Sequence, residues 1–160
     1  MILNGCESTV GYINAGVPQG SILGPSLFLI YINDLAKTVS NDSNMFADDT
    51  TLSAVMPDVK SREAIAESIN TDLRKIEAWA DKWLVKFNAK KTQLIHISRK
   101  CSIDTSNISF CSEALNQADS IKLVGINISK NLTGTPMLRV LLKLLVVVLV
   151  FFVKPRSSLM

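Results

Sequence analysis

Histidine and cysteine are scarce in this chain. There is one histidine, His96, and the three cysteines, Cys6, Cys101 and Cys111, show no CxxC spacing. That pattern argues against a disulfide framework or a zinc site, and an intracellular setting, nuclear or cytoplasmic, is expected. The opening "MILNGCESTV" lacks a basic stretch leading into an apolar one, so no secretory signal is read. No internal repeat of useful length is present. Charge is also sparse. Charged residues make up 19% and the formal net charge is +3, which is compatible with a polyanionic partner without proving one. With 48% hydrophobic residues in 160, the chain can bury one core and is expected to be globular.

A run of roughly 20 predominantly apolar residues, the length of a membrane span, is missing too. The nearest approach is "LRVLLKLLVVVLVFFVKPRSSLM", unbroken from Leu144 to Val153 and preceded by Lys143. Three readings stand for it: a buried strand or helix, a membrane-associated tail centred on residues 140–153, or a low-complexity ending produced by an altered reading frame.

Upstream, "STVGYINAGVPQGSILGP" passes from an extended segment into a loop punctuated by Gly16, Pro18, Gly20, Gly24 and Pro25. Pro25 suits the first turn of a helix, and "SLFLIYINDLAKTV" supplies an apolar segment of helical length that should be largely buried. After a polar turn, "SNDSN", the segments "NMFA" and "TTLSAV" can pair as antiparallel strands with Asp48 and Asp49 at the bend. Asp58 is a candidate helix cap. From there to about Val85, Ile65, Ile69, Leu73, Ile76, Trp79 or Ala80, and Trp83 recur at helical spacing, which predicts an amphipathic helix with both tryptophans in the core. "QLIHIS" alternates as a strand, placing His96 in a packed or surface role. "KLVGINIS" reads as the best strand among the short elements that follow.

Paired carboxylates on a tight turn can be a solvated acidic bend or part of a metal site, and "FADDT" alone leaves both open. The loop "GVPQG" likewise has a plain reading as a connection into a helix. Order and spacing decide. "AGVPQGSILGPSLFLIYINDL", then "MFADDT", then "KWLVKFNAKKTQLIHIS", then "IKLVGINISKNLT" resemble, in succession, the B, C and D motifs and the following hairpin of the reverse transcriptase domain of non-LTR retrotransposons, the jockey-like and LINE-like group. Val124-Gly125 stands where that family usually has Leu-Gly.

The resemblance implies an α+β fold: part of a polymerase palm over residues 1–133, with an antiparallel sheet and a catalytic hairpin packed on two helices. Residues 134–160 are expected to form a divergent apolar tail. It also implies RNA-directed DNA polymerase chemistry, an in-line phosphoryl transfer assisted by two Mg2+ or Mn2+ ions. Carboxylates suit such hard cations. Asp48 is then the more direct metal ligand and Asp49 its assistant. Gly16, Gln19 and Gly20 are expected to hold template and incoming nucleotide. Phe46 either packs near the primer or serves as an ordinary core residue. Lys91 either protonates or neutralises the departing pyrophosphate, or is a solvated lysine in a basic turn with Lys90. The implied partners are an RNA or DNA primer-template and deoxynucleotides. The family's A motif supplies a third carboxylate upstream of the B motif. Before Gly16 the only acid is Glu7, in no such context. The metal site is therefore expected to be incompletely liganded and the chain a partial copy, inactive alone. The alternatives are a non-catalytic nucleic-acid-binding remnant and a tail-associated membrane protein.

Overall fold

A computed structural model describes residues 2–3, 6–7, 20–56, 62–97, 107–130 and 145–155. In chain order the elements are β1 (Ile2–Leu3), β2 (Cys6–Glu7), α1 (Gly24–Ile32), β3 (Asp42–Phe46), β4 (Asp49–Met56), α2 (Arg62–Trp83), β5 (Val85–Phe87), β6 (Gln93–Ile97), β7 (Ser109–Phe110), β8 (Glu113–Ala114), β9 (Ser120–Leu123), β10 (Ile126–Ser129) and β11 (Leu145–Pro155). Single 3-10 turns lie at Leu35–Lys37 and Ala89–Lys91. The strand pairs are antiparallel and the helices lie outside them, an α+β arrangement.

α2 organises the core. Its stripe of Ile65, Ile69, Leu73, Ile76, Trp79 and Ala80 is buried, as the helical spacing predicts. The stripe packs with Leu52 and Ala54 of β4, Leu94 of β6, Val85 of β5 and Phe110 of β7 in one cluster. Trp83 departs from expectation: it is 38% exposed, with its ring edge-on to Tyr31 at 5.9 Å and Lys82 over it at 5.7 Å. A second, smaller cluster forms where Ile95 and Ile97 meet Ile121, so the β9–β10 hairpin covers one end of the opposite face of the sheet. His96 is buried within β6.

The helix expected to be largely buried, α1, is not. It is shorter than the apolar segment that encodes it, and Leu27, Leu29 and Ile30 are at least half exposed, Ile30 at 74%. A nine-residue helix lying on one surface buries one stripe. Here that stripe is Ile32 with the partly buried Phe28 and Tyr31. The apolar residues on the other sides are left outside. Pro25 occupies the first turn, as expected. The "SNDSN" turn is also shorter than predicted, because Asp42, Ser43 and Asn44 already belong to β3.

The apolar C-terminal run forms β11, the longest strand. On one side it pairs with β4 from Leu145↔Met56 to Phe152↔Asp49. On the other it pairs with β6 from Val146↔Ile97 to Val150↔Gln93, and then with β5 at Val153↔Phe87, Lys154↔Lys86 and Pro155↔Val85. It therefore sits in the middle of the five-stranded sheet, with β3–β4 on one flank and β5 and β6 on the other. Among the described residues no helix is long and apolar enough to cross a membrane.

"KLVGINIS" forms the hairpin that the family resemblance implies around Val124-Gly125, rather than the single strand that its residue pattern suggests. Leu123 pairs with Ile126, and Val124 and Gly125 form a two-residue turn with φ of 47 and 82. Paired positive φ values match the strand twist, but a β-branched residue there is strained by about 1–2 kcal/mol. Val124→Asn should therefore raise the free energy of unfolding by about 1 kcal/mol in urea titration, since Asn-Gly is favoured in such turns. An unchanged midpoint would refute the strain.

Candidate functional site

The β3–β4 hairpin has a two-residue loop, Ala47-Asp48, because Phe46 pairs directly with Asp49. Ala47 takes φ 53, a conformation that glycine would adopt at lower cost. The tight loop holds consecutive carboxylates at the end of the sheet. Asp48 lies exposed in the bend, and Asp49, half-buried, begins β4. Hydroxyls tie the two strands: Thr51 Oγ1 donates to the Asn44 carbonyl at 3.1 Å and Ser53 Oγ to that of Asp42 at 3.3 Å.

Strand alternation gives β4 two unlike faces. Leu52 and Ala54 enter the core beneath α2, while Asp49, Thr51 and Ser53 occupy the other face. Phe46, on the same outer side of β3, is 64% exposed. Of its two expected roles, the core residue is excluded and the exposed position beside the carboxylates is what the fold provides.

Burial pushes the Asp49 carboxyl above its ordinary range, and the adjacent Asp48 charge adds to the rise. Two carboxylates held together at some cost favour a cation. Mg2+ keeps several waters and binds through one or two carboxylates plus substrate phosphates, so this pair suits such an ion. Among the described residues, no group of three or more His, Cys, Asp or Glu side chains is placed to hold a metal. Cys111 offers no alternative chemistry, because burial together with Glu77, Asp81 and Glu113 pushes its thiol up to about 11 and keeps it protonated at neutral pH.

Register brings Lys91 to the same end of the sheet. Val150 of β11 pairs with both Thr51 and Gln93, so those two positions are level. Asp49 precedes Thr51 by two residues and Lys91 precedes Gln93 by two, on strands running the same way. Lys91 sits exposed in the 3-10 turn before β6, one intervening strand away, roughly 10 Å of sheet width. Gly20 is exposed with φ 88, and a Cβ there would meet nothing within 4 Å, so the backbone conformation rather than crowding calls for glycine. Gly16 and Gln19 lie outside the described residues, as does Asp58.

The family model described as reverse transcriptase (RNA-dependent DNA polymerase) matches residues 1–128. The chain belongs to the reverse transcriptase family. Among curated proteins it resembles the RNA-directed DNA polymerase from mobile element jockey of Drosophila melanogaster, at 28% identity over 139 residues, covering 82% of this chain and 15% of that protein. The counterpart from Drosophila funebris is 28% identical over 141 residues, covering 81% of this chain and 15% of that protein. The chain thus spans about 15% of the length of these reverse transcriptases. No solved structure gives a significant match.

One residue that positions the hairpin escaped the sequence reading. Asp72 is on α2, and its carboxylate is buried. Its Oδ2 accepts from the backbone N–H groups of Ser40 and Asn41, at 2.9 and 2.8 Å, and from Asn41 Nδ2 at 2.8 Å. Its Oδ1 pairs with Lys75 Nζ at 2.8 Å. Burial alone would raise the carboxyl, but Lys75 and the Asn41 and Ser40 donors outweigh it and hold it below the usual range. Ser40 and Asn41 immediately precede β3, so Asp72 anchors the strand that leads to Asp48. An acid between Ile69 and Leu73, on the apolar side of an otherwise regular amphipathic helix, was the available signal. A further anchor joins the helices, where Trp79 Nε1 donates to Asp34 Oδ1 at 3.0 Å.

Proposed function

We propose that this chain is the palm portion of an RNA-directed DNA polymerase of the jockey-like, non-LTR class, carrying the carboxylate hairpin of a nucleotidyl-transfer centre. The observation that carries this reading is the Asp48-Asp49 bend: two carboxylates fixed by a two-residue loop at the edge of an open sheet face, within the stretch matched by the family. Asp48 and Asp49 would hold a divalent cation, which when bound supplies the positive charge that offsets charge developing on phosphoryl oxygens. The protein's own groups do the rest. The sheet fixes the carboxylates toward the solvent-facing side, Phe46 borders them, and Lys91 at the same sheet end neutralises or protonates the departing pyrophosphate. Gln19 and Gly20 hold template and nucleotide, and Gly16 lets the backbone approach them. With two carboxylates grouped, the chain binds metal and nucleic acid but does not extend a primer by itself.

A chimera tests this reading. Residues 1–128 replace the matching stretch of the Drosophila melanogaster jockey polymerase, and primer extension is measured with Mg2+ or Mn2+. Extension is expected, and Asp48→Ala should lower it by about 10²-fold through loss of a charge-neutralising ligand. A chimera that extends primers equally well with Asp48→Ala would refute the assignment.

A further inference from the structure

We infer that the gap between β4 and β6 is a strand-acceptor site, which takes residues 145–155 from a second copy of this chain as well as from its own. Two chains thereby exchange β11 and close into a dimer. Among the described residues β4 and β6 do not pair with each other; β11 lies between them and pairs with both. Without it, β4 would present an open edge over Asp49–Met56, β6 over Gln93–Ile97 and β5 over Val85–Phe87. Open sheet edges are templates for another extended chain, and backbone groups in mid-sheet are costly to leave unpaired. The helix α2 spans both flanks of the gap. Leu52 and Ala54 of β4, Leu94 of β6 and Val85 of β5 all pack in one cluster with its buried stripe. The flanks are thus held two strand spacings apart, roughly 9–10 Å, which is room for one strand.

The segment that fills the gap suits exchange. It is uncharged from Leu144 to Val153, a length of apolar chain that gains by entering any matching slot. Residues 131–144 join it to Lys130 at the end of the β9–β10 hairpin, and a stretch of that length reaches at most roughly 50 Å. A neighbouring sheet is within that reach as well as its own. Donor and acceptor come from one sequence, so insertion into a second chain reproduces both ladders, Leu145↔Met56 to Phe152↔Asp49 and Val146↔Ile97 to Val150↔Gln93. No new contact is needed, which makes exchange a low-cost route to a two-fold dimer. The same identity favours a second copy over an unrelated strand, which would have to match both ladders at once. Concentration decides between the closed and exchanged forms. A chain's own strand is present at an effective concentration on the order of millimolar, so dilute chains close on themselves and concentrated ones exchange. Position 152 pairs with Asp49, so in the exchanged form each carboxylate hairpin is held by the other chain's strand. The inference does not rest on the proposed function.

The test links ladder partners across chains. Ser53 and Val148 are paired, and the Cα separation of such pairs, about 4.5–5.5 Å, suits a disulfide. Full chains carrying only Ser53→Cys are refolded from urea together with chains carrying only Val148→Cys, oxidised, digested and analysed by mass spectrometry for linked 53–148 peptides. Neither variant can form this bond within one chain. The bond is expected in the mixture, its fraction rising roughly in proportion to chain concentration while small, about 10-fold per decade. It should clearly exceed the 44–148 link from a mixture with Asn44→Cys, because Asn44 lies on β3, beyond β4. The double variant Ser53→Cys/Val148→Cys, refolded at high dilution, should form the 53–148 bond within one chain. A bond in the double variant with none in the mixture would overturn the exchange. Equal amounts of the 53–148 and 44–148 links would overturn it too, since random collision then accounts for both. A double variant that never links would overturn the acceptor gap itself.

Discussion

Replacing Asp72 with alanine should cost about 2–3 kcal/mol of folding free energy, read from urea unfolding monitored by tryptophan fluorescence. The carboxylate is buried and satisfies two backbone N–H groups, an amide and a lysine. Alanine would take the acceptor from the Ser40 and Asn41 N–H groups, while Asn41 Nδ2 keeps Ser68 Oγ and Lys75 keeps Ser40 Oγ, so the cost is that of several charge-assisted hydrogen bonds lost at a half-buried strand entry. Asp72→Asn keeps the shape but places an amide where only an acceptor fits, so it should recover a minority of the loss. The sign of the pH dependence follows from the depressed carboxyl. A group held below its unfolded value of about 3.9 contributes stability that is fully present above that pH and lost as pH falls through the folded value. Wild type should therefore lose stability below about pH 4 more steeply than Asp72→Ala. Equal acid sensitivity in the two proteins would mean that the anchor carries no charge-dependent energy.

Val148→Pro should be comparably damaging, at about 3 kcal/mol or more, because proline removes a ladder donor and is tolerated in sheets only at edges and bulges. Val148 pairs with Ser53 on one side and Ile95 on the other. A break at this point separates the carboxylate hairpin from β6. The measurement is again denaturant unfolding, with circular dichroism to follow strand content. A variant as stable as wild type would show that the apolar run is not the middle strand of the sheet.

The parts of this molecule that were legible in the sequence are those where one local pattern dominates. α2 was readable because its apolar residues repeat every three or four positions over 22 residues, and only the half-exposed Trp83 departs from the stripe. The β3–β4 hairpin was readable because the acid pair lies between two strand-forming segments. The turns themselves carried weak signals: Ala47, Cys111, Ser112 and Val124 adopt positive φ without being glycine, so the expected Asn-Gly or Asp-Gly marks are missing. This is why "KLVGINIS" read as one strand. α1 misled because its apolarity does not report which side is covered. The role of "LLVVVLVFFV" was open because a uniformly apolar run has no period from which to choose strand or helix, and its ladder partners lie about 50 to 100 residues upstream. Asp72 was missed because its partners, Ser40 and Asn41, are distant in sequence and contribute backbone groups.

The Asp48-Asp49 bend is the centre of the account, and Mn2+ titration of the whole chain followed by electron paramagnetic resonance tests it most directly. Wild type should bind the ion with an affinity on the order of millimolar at about pH 7. Binding should weaken on acidification at a higher pH than an ordinary carboxylate would show, because Asp49 takes up its proton early. Asp48→Asn and Asp49→Asn should each abolish it while leaving the fold intact. Mn2+ binding that is undiminished in both variants would contradict the assignment of this hairpin as a metal-holding site.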